Sequence, residues 1–203
     1  MNEKTWMNGV WKTDEYETVK KISFELLDSF LTSPPINVLD IGCGLAFESE
    51  LFQKKYNCNL YLLDGDFELS ENATRDRKYG DAQSMAFYSK IPDLIDSFNK
   101  RNLRYNFVDA NHIDIQQDLK FDLIYSNVSC GFHYPLNTYY DLLKKHTNEH
   151  SLIIFDINSR YLTEQLEDLF EVVDSKNYPG QKKIIKCKLK LKNKTGANIN
   201  EII

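Results

Sequence analysis

The stretch VLDIGCGLAF at residues 38–47 decides the fold of this chain of 203 residues. Its apolar residues predict a short buried strand over 36–41, and Gly42 and Gly44 follow directly as a turn. Because glycine has no Cβ, the backbone of such a turn can approach a ligand closely. The pattern therefore predicts a ligand site at the end of this strand. The alternative is that the two glycines only close a tight turn before the predicted helix over 47–56.

Apolar strands alternate with helical patterns along the rest of the chain. Further strands are predicted over 59–66, 104–109, 121–127, 151–158, 170–175 and 182–192. Helices are predicted over 14–31, 47–56, 91–102, 138–147 and 160–170. This alternation is typical of a Rossmann-like α/β sheet that is covered by helices on both faces. We expect seven mostly parallel strands with an antiparallel last strand, since the final two lie close enough in the chain to pair.

Acidic residues end the second predicted strand, in the segment LLDGD. Asp64 lies 20 residues after Gly44, where a carboxylate can accept hydrogen bonds from both hydroxyls of a ribose. Asp66 is the rival for this role, with Gly65 between the two acids. The combination of strand, glycine turn, helix, strand and acid predicts a site for a ligand that contains ribose.

The choice of ligand depends on the positions around the turn. The dinucleotide fingerprint has a third small residue three positions after its second glycine. Phe47 stands there, and its ring disfavours a nicotinamide cofactor. Asp40 instead supplies an acid two positions before the first glycine, and Ala46 a small residue two positions after the second. This segment resembles motif I of the class I methyltransferases that depend on S-adenosylmethionine (SAM), and the resemblance extends over about 36–158.

The resemblance implies a methyltransferase that uses S-adenosyl-L-methionine as cofactor and releases S-adenosyl-L-homocysteine (SAH). It implies that Asp40, Gly42 and Gly44 lie around the methionine end of SAM. It also implies that Asp64 holds the ribose and that Asp109, at the end of the third strand, lies at the adenine. The predicted cofactor-binding residues are Asp40, Gly42, Cys43, Gly44, Asp64, Gly65, Asp66, Asp109, Ala110 and Asn127.

The loop after the fourth strand, YSNVSCGFHYP at 125–135, is the expected acceptor side, because the reacting centre of an open α/β sheet lies beyond the carboxyl ends of its strands. His133 is the candidate general base, since imidazole can take a proton near neutral pH; binding the acceptor and a structural role are the alternatives. Asp156, at the end of the fifth strand, is the other candidate base. Its alternative role is to cap the helix that begins near Ser159. The predicted acceptor-binding residues are Ser129, Tyr134 and Tyr88, while Asn127 and Ser129 could contact either ligand.

The segment SNVSCGFHYP, with MAFYSK at 85–90, resembles a group of sugar O-methyltransferases of glycan and surface-polysaccharide pathways. The loop lacks the [DN]-P-P-[YF] tetrapeptide of base-amino methyltransferases. The resemblance implies O-methylation of a sugar or glycan hydroxyl. No metal is expected, because the sequence shows no obvious cluster of acids near the fourth and fifth strands that Asp156 could join. The rings that could stack on a pyranose are Trp6, Trp11, Tyr88 and Tyr134. Methylation of another small molecule or of RNA ribose, and SAM binding without catalysis, are the alternative hypotheses.

Composition narrows the choice of partner. The net charge of -5 disfavours nucleic acid, because phosphate binding usually needs a basic surface. The four cysteines lack metal-ligand spacing, so neither a zinc site nor a disulfide framework is expected. No apolar run has the length of a membrane span, and the N-terminus has no signal-peptide pattern. We expect a soluble, cytoplasmic protein whose partner is a small-molecule or glycan acceptor.

The chain is expected to be one SAM-dependent methyltransferase domain over 1–203, with an N-terminal helical segment over 1–35 and a Rossmann-like core over 36–203. The irregular stretch 67–90 is expected to be a lid or acceptor wall. As an alternative to a single-domain protein, the chain could be one domain of a longer enzyme, fused to or associated with other glycan-synthesis domains.

Residues 182–194 hold seven lysines and no acid. Lys186, Lys188, Lys190 and Lys192 alternate with other residues, as on a strand with one lysine face. We expect an edge strand whose lysines deter pairing with other chains. Docking of an anionic acceptor or carrier is the alternative.

Overall fold

A computed structural model describes residues 13–66, 89–132, 135–159, 166, 169–180 and 182–192. The helices are α1 (Thr13–Asp28), α2 (Phe47–Tyr56), α3 (Ile91–Lys100) and α4 (Tyr140–His146), with a 3₁₀ turn at Leu136–Tyr139 directly before α4. The strands are β1 (Asn37–Ile41), β2 (Asn59–Asp64), β3 (Tyr105–Asp109), β4 (Leu123–Ser126), β5 (Leu152–Asn158), β6 (Phe170–Asn177) and β7 (Ile184–Leu191).

The seven strands form one sheet in the order β3-β2-β1-β4-β5-β7-β6. β1 is central and pairs in parallel with β2 and with β4. β7 is antiparallel to both of its neighbours, β5 and β6. The predicted Rossmann-like sheet with an antiparallel last strand is therefore confirmed. Because the strand order reverses at β1, a crevice is expected at the carboxyl end of this strand.

Both faces of the sheet are buried at β1, β4 and β5, where alternate residues of each strand point to opposite sides. Val38 of β1 belongs to the apolar cluster that contains Leu27 of α1 and Phe52 of α2. Leu39, the next residue, belongs to the cluster that contains Leu143 of α4. With both faces covered, the carboxyl ends of the parallel strands are the place where a ligand site can form.

Several predicted boundaries differ from the structure. α1 ends at Asp28 rather than at residue 31, and β4 covers only Leu123–Ser126 of the predicted 121–127. The helix predicted over 160–170 falls largely outside the described residues, and its last residue, Phe170, already begins β6. Most of the stretch 67–90 also lies outside the described residues. The described elements follow the hydrophobic pattern, and these boundary differences lie at their ends.

The lysine-rich strand is not an edge strand, so that prediction is wrong. β7 lies between β5 and β6, with hydrogen-bonded neighbours on both sides. Lys186 is completely buried, whereas Lys190 on the same strand is exposed. A buried partner on β5, described below, explains how an interior strand accommodates Lys186.

Other features concern the chain as a whole. No disulfide joins the four cysteines, all of which are buried. Within the described ranges, no helix is long and apolar enough to cross a membrane. The same ranges contain no cluster of three His, Cys, Asp or Glu side chains that could hold a metal ion.

Candidate functional site

The glycine turn lies directly after β1. Gly42 and Gly44 have left-handed φ angles of 73° and 48°, which residues with a Cβ rarely adopt. The N–H groups of Gly42 and Cys43 donate to the Leu63 carbonyl of β2 at 2.7 Å and 3.1 Å. A Cβ on Gly42 would lie 2.6 Å from the Cβ of Ser129, whereas a Cβ on Gly44 would meet no heavy atom of the described residues within 4 Å. The turn is therefore packed against the β4 side at Gly42 and borders open space at Gly44.

Asp64 ties the end of β2 to this turn. Its Oδ2 accepts the N–H of Gly44 at 2.8 Å, and its Oδ1 accepts the N–H of Gly65 at 2.8 Å. Asp66 makes a different contact, in which its Oδ2 accepts the N–H of Ile91 at the start of α3, at 3.2 Å. Of the two rival acids, Asp64 is thus the one bonded to the glycine turn.

The carboxyl end of β3 lies beside the carboxyl end of β2. Asp109 lies opposite Asp64 in the β2–β3 register. The N–H of Ala110 donates to the Asp64 carbonyl at 2.8 Å, and Asp109 Oδ1 accepts the N–H of Asn111 at 2.8 Å. The predicted adenine-side residues therefore adjoin the predicted ribose-binding carboxylate.

Asp40 points into the protein interior beneath the turn. Its Oδ2 accepts hydrogen bonds from the Ser49 hydroxyl and the Tyr125 hydroxyl, both at 2.8 Å. Burial and the nearby Glu48 carboxylate raise the pKa of Asp40 to about 7. The Asp40 carboxylate thus links β1 to α2 and β4 in the interior. If Asp40 influences the methionine end of SAM, it would do so by fixing the backbone of the glycine turn.

Two polar contacts join α1 to the site. Lys20 Nζ lies 3.0 Å from Glu48 Oε1, at the start of α2. Burial alone would lower the pKa of Lys20, but the Glu48 carboxylate outweighs it and raises this pKa. The Tyr178 hydroxyl lies 3.0 Å from the Ser23 hydroxyl on α1. α1 is therefore held against the region next to the glycine turn by polar contacts as well as by its apolar face.

A buried ion pair lies beside the β4 end. Asp156 and Lys186 face each other across β5 and β7, are both 0% exposed, and have Oδ1 and Nζ 2.8 Å apart. Asp156 Oδ2 also accepts the Tyr178 hydroxyl at 2.8 Å and the Val128 N–H at 3.2 Å. Burial lowers the pKa of Lys186, and Asp156 opposes that shift. Because Asp156 is completely buried, with Oδ1 in an ion pair and Oδ2 accepting two hydrogen bonds, these contacts favour a structural role for Asp156 over proton abstraction.

Asn127 follows β4 and contacts the same ion pair. Its Oδ1 accepts a hydrogen bond from Lys186 Nζ at 2.6 Å. Its Nδ2 is buried and has no hydrogen-bond partner among the described residues, a state that typically costs about 1–3 kcal/mol. The next residue, Val128, has a φ of 50°, which is unfavourable for a β-branched side chain. Such features are concentrated at functional sites.

Three predicted site residues, Tyr88, His133 and Tyr134, lie outside the described residues, as do Trp6 and Trp11. The structure brings together the other predicted residues at the carboxyl ends of β1 to β5. These are Asp40, Gly42, Cys43, Gly44, Asp64, Gly65, Asp66, Asp109, Ala110, Asn127, Ser129 and Asp156.

Sequence analysis missed Lys186, Tyr178 and Glu48 as members of this region. One signal could have found Lys186. Asp156 interrupts the apolar run SLIIFDIN, and an acid in the middle of a buried strand requires a cationic partner. The alternation IIKCKLK offered several lysines, but the pattern does not tell which one faces β5.

Known structures share this architecture. No family model and no curated protein matches the sequence. The plantazolicin methyltransferase BpumL in complex with SAH has 16% identity and a TM-score of 0.59, covering 95% of this chain and 91% of its own. An S-adenosylmethionine-dependent methyltransferase from Clostridium acetobutylicum ATCC 824 has 16% identity and a TM-score of 0.55, covering 94% and 96%. The ribosomal protein L11 methylase from Lactobacillus delbrueckii subsp. bulgaricus has 17% identity and a TM-score of 0.52, covering 87% and 80%. The chain thus has the fold of the class I SAM-dependent methyltransferases.

Proposed function

We propose that this protein is a SAM-dependent methyltransferase. The observation that carries the proposal is the open space beside Gly44, next to a carboxylate that is bonded to the same turn. A Cβ on Gly44 would meet no described atom within 4 Å, and Asp64 Oδ2 accepts the Gly44 N–H at 2.8 Å. A glycine backbone that borders open space and an acid at the end of the next strand suit a nucleoside.

The residues at this edge fit the parts of SAM. Each carboxylate oxygen can accept more than one hydrogen bond, so Asp64 can hold ribose hydroxyls while it keeps the N–H groups of Gly44 and Gly65. Asp109 and Ala110 stand next to it at the end of β3, where an adenine would follow the ribose. When bound, SAM supplies a methyl group on a sulfonium sulfur. The chain's task is then to position the acceptor in line with that group.

Replacing Gly44 with alanine tests the site. Gly180, between β6 and β7, provides a matched control, because it also has a positive φ, 70°, and a Cβ there would meet no described atom within 4 Å. Both substitutions incur a similar backbone cost of about 1–2 kcal/mol. We expect Gly44→Ala to weaken SAH binding at least about tenfold in isothermal titration calorimetry, with Gly180→Ala close to wild type. Equal affinities in the two variants would place the cofactor elsewhere.

For the acceptor, we propose a sugar or glycan hydroxyl, with His133 as the base that takes the hydroxyl proton as the oxygen receives the methyl group. The support is the resemblance of SNVSCGFHYP and MAFYSK to sugar O-methyltransferases, and the engagement of the rival base, Asp156, in a buried ion pair and two hydrogen bonds. The named neighbours act on other acceptors, since one is a plantazolicin methyltransferase and another a ribosomal protein L11 methylase. Peptides therefore belong in the test.

Mass spectrometry can decide among the acceptors. Wild type and His133→Ala are incubated with SAM and, separately, with methyl glycosides, short peptides and RNA. We expect a glycoside that is heavier by one methylene group, with a rate about a hundredfold lower for His133→Ala, as for loss of a general base. Methylated peptide or RNA without methylated glycoside would overturn the sugar assignment. SAH binding without any turnover would favour a binding module.

A further inference from the structure

The contact with Lys186 sets the orientation of the Asn127 side chain. An ammonium group only donates hydrogen bonds, so the atom 2.6 Å from Lys186 Nζ must be the amide oxygen. The Nδ2 group therefore points away from Lys186. Nδ2 is shielded from water and has no acceptor within the described part of the chain. Asn127 thus holds a donor in a fixed direction, and a ligand atom could satisfy it.

The position of Asn127 indicates which ligand this is. The glycine turn and Asp64 lie at the ends of β1 and β2, whereas Lys186 belongs to β7, on the opposite side of β4 and β5. The amide therefore lies on the side of β4 that faces β5 and β7, away from β2, which carries the proposed ribose-binding acid Asp64. This is the side on which the acceptor must approach if SAM lies over β1 and β2.

The backbone after Asn127 is held by the same ion pair. The N–H of Val128 donates to Asp156 Oδ2 at 3.2 Å, and Val128 keeps a φ of 50° with its side chain 36% exposed. A ligand reaches the shielded Nδ2 only when its neighbours move. Val128, whose backbone conformation is unfavourable, is one of these neighbours. Its exposed side chain offers an apolar surface beside the amide.

We propose that Lys186 and Asp156 are positioning residues that hold Asn127 Nδ2 as a hydrogen-bond donor to an oxygen of the acceptor, with Val128 as the apolar wall beside it. This inference rests on the proposed methyltransferase function. It assigns Asn127 to the acceptor rather than to SAM. The acceptor must carry a hydrogen-bond-accepting oxygen near the hydroxyl that is methylated, which a polyhydroxylated ring does.

Asn127→Ala tests this assignment on the glycoside that wild type methylates and on its monodeoxy analogues. We expect KM for the parent glycoside to rise about tenfold, as for loss of one hydrogen bond in a buried site, while the Kd of SAH stays within about threefold. The difference from wild type should vanish on the analogue that lacks the contacted oxygen. Asn106→Ala is the matched control, because that exposed amide donates only to the Leu60 carbonyl at the other end of the sheet.

Two further variants separate the loss of the acceptor contact from a loss of folding. Asn127→Asp retains an acceptor for Lys186 but cannot donate, so KM should also rise. The double variant Asp156→Asn with Lys186→Met retains an oxygen for the Val128 N–H but removes the contact to Asn127. The same rise in KM, with unchanged SAH binding, would identify Lys186 as the positioning residue.

The outcomes separate the inference from the function beneath it. Methylation with an unchanged KM in Asn127→Ala and Asn127→Asp overturns the inference and leaves the methyltransferase function standing. Weaker SAH binding with an unchanged KM for the acceptor would assign the amide to SAM, which also overturns the inference. A wild-type chain that binds no SAH refutes the proposed function, and the inference with it.

Discussion

Lys186→Met is expected to lower the free energy of unfolding by about 3–5 kcal/mol, because it leaves a buried carboxylate without its cation. Asp156 and Lys186 are both 0% exposed and 2.8 Å apart. The Tyr178 hydroxyl and Val128 N–H would still donate to Asp156, but neither neutralises its charge. Urea denaturation of wild type and Lys186→Met measures the difference.

Lys190→Met is the matched control for this experiment. Lys190 lies on the same strand, opposite Glu171, but it is exposed. An exposed ion pair contributes at most about 1 kcal/mol, so the same substitution there should change little. The double variant Asp156→Asn with Lys186→Met should regain most of the stability lost in Lys186→Met. Equal stabilities of the two single variants would show that Lys186 is not needed to neutralise Asp156.

Asp64→Asn is expected to raise the Kd of SAH by at least about a hundredfold. Each hydrogen bond to a charged group contributes about 1.5–3 kcal/mol, and we propose that this carboxylate holds both ribose hydroxyls. An amide has a single oxygen, so it also cannot accept the N–H groups of Gly44 and Gly65 on two oxygens, as Asp64 does at 2.8 Å each. Calorimetric titration with SAH measures the affinity, and urea denaturation shows how much of the loss comes from the turn.

Asp66→Asn separates the two acids of LLDGD. Asp66 Oδ2 accepts the Ile91 N–H at the start of α3, and an asparagine oxygen can do the same. We therefore expect the Kd of SAH to stay within about threefold of wild type, a change of less than ~1 kcal/mol. If Asp66→Asn weakened SAH binding more than Asp64→Asn did, the ribose assignment would pass to Asp66.

The glycine turn after β1 and the acid at the end of β2 could be predicted from the sequence, because their determinants are local. The turn depends on Gly42 and Gly44, whose positive φ angles follow from their place at the end of an apolar strand. The spacing to Asp64 follows from one helix and one strand of ordinary length. Each of these signals lies within 27 residues, 38–64, and none depends on a distant partner.

The contacts around Asp156 and Lys186 could not be predicted in the same way, because they join residues far apart in the chain. Lys186 resembles the other lysines of β7 in sequence, and only its pairing with Asp156 identifies it as the buried one. The expectation of an edge strand failed for the same reason, since the alternation of lysines does not reveal that β7 inserts between β5 and β6. Asp40 likewise depends on Tyr125, which is 85 residues away.

The place of β7 in the sheet has a consequence for how the molecule is made. A ribosome releases β1 to β5 first, and these strands can pair with one another as they emerge. β6 emerges next but has no strand beside it until β7 arrives, because β7 lies between β6 and β5. Until Ile184–Leu191 has been synthesised, Asp156 has no lysine opposite it. The edges of β5 and β6 that β7 later covers also remain free to pair with wrong partners. The strands around the glycine turn can therefore pair before Lys186 is available to contact Asp156 and Asn127.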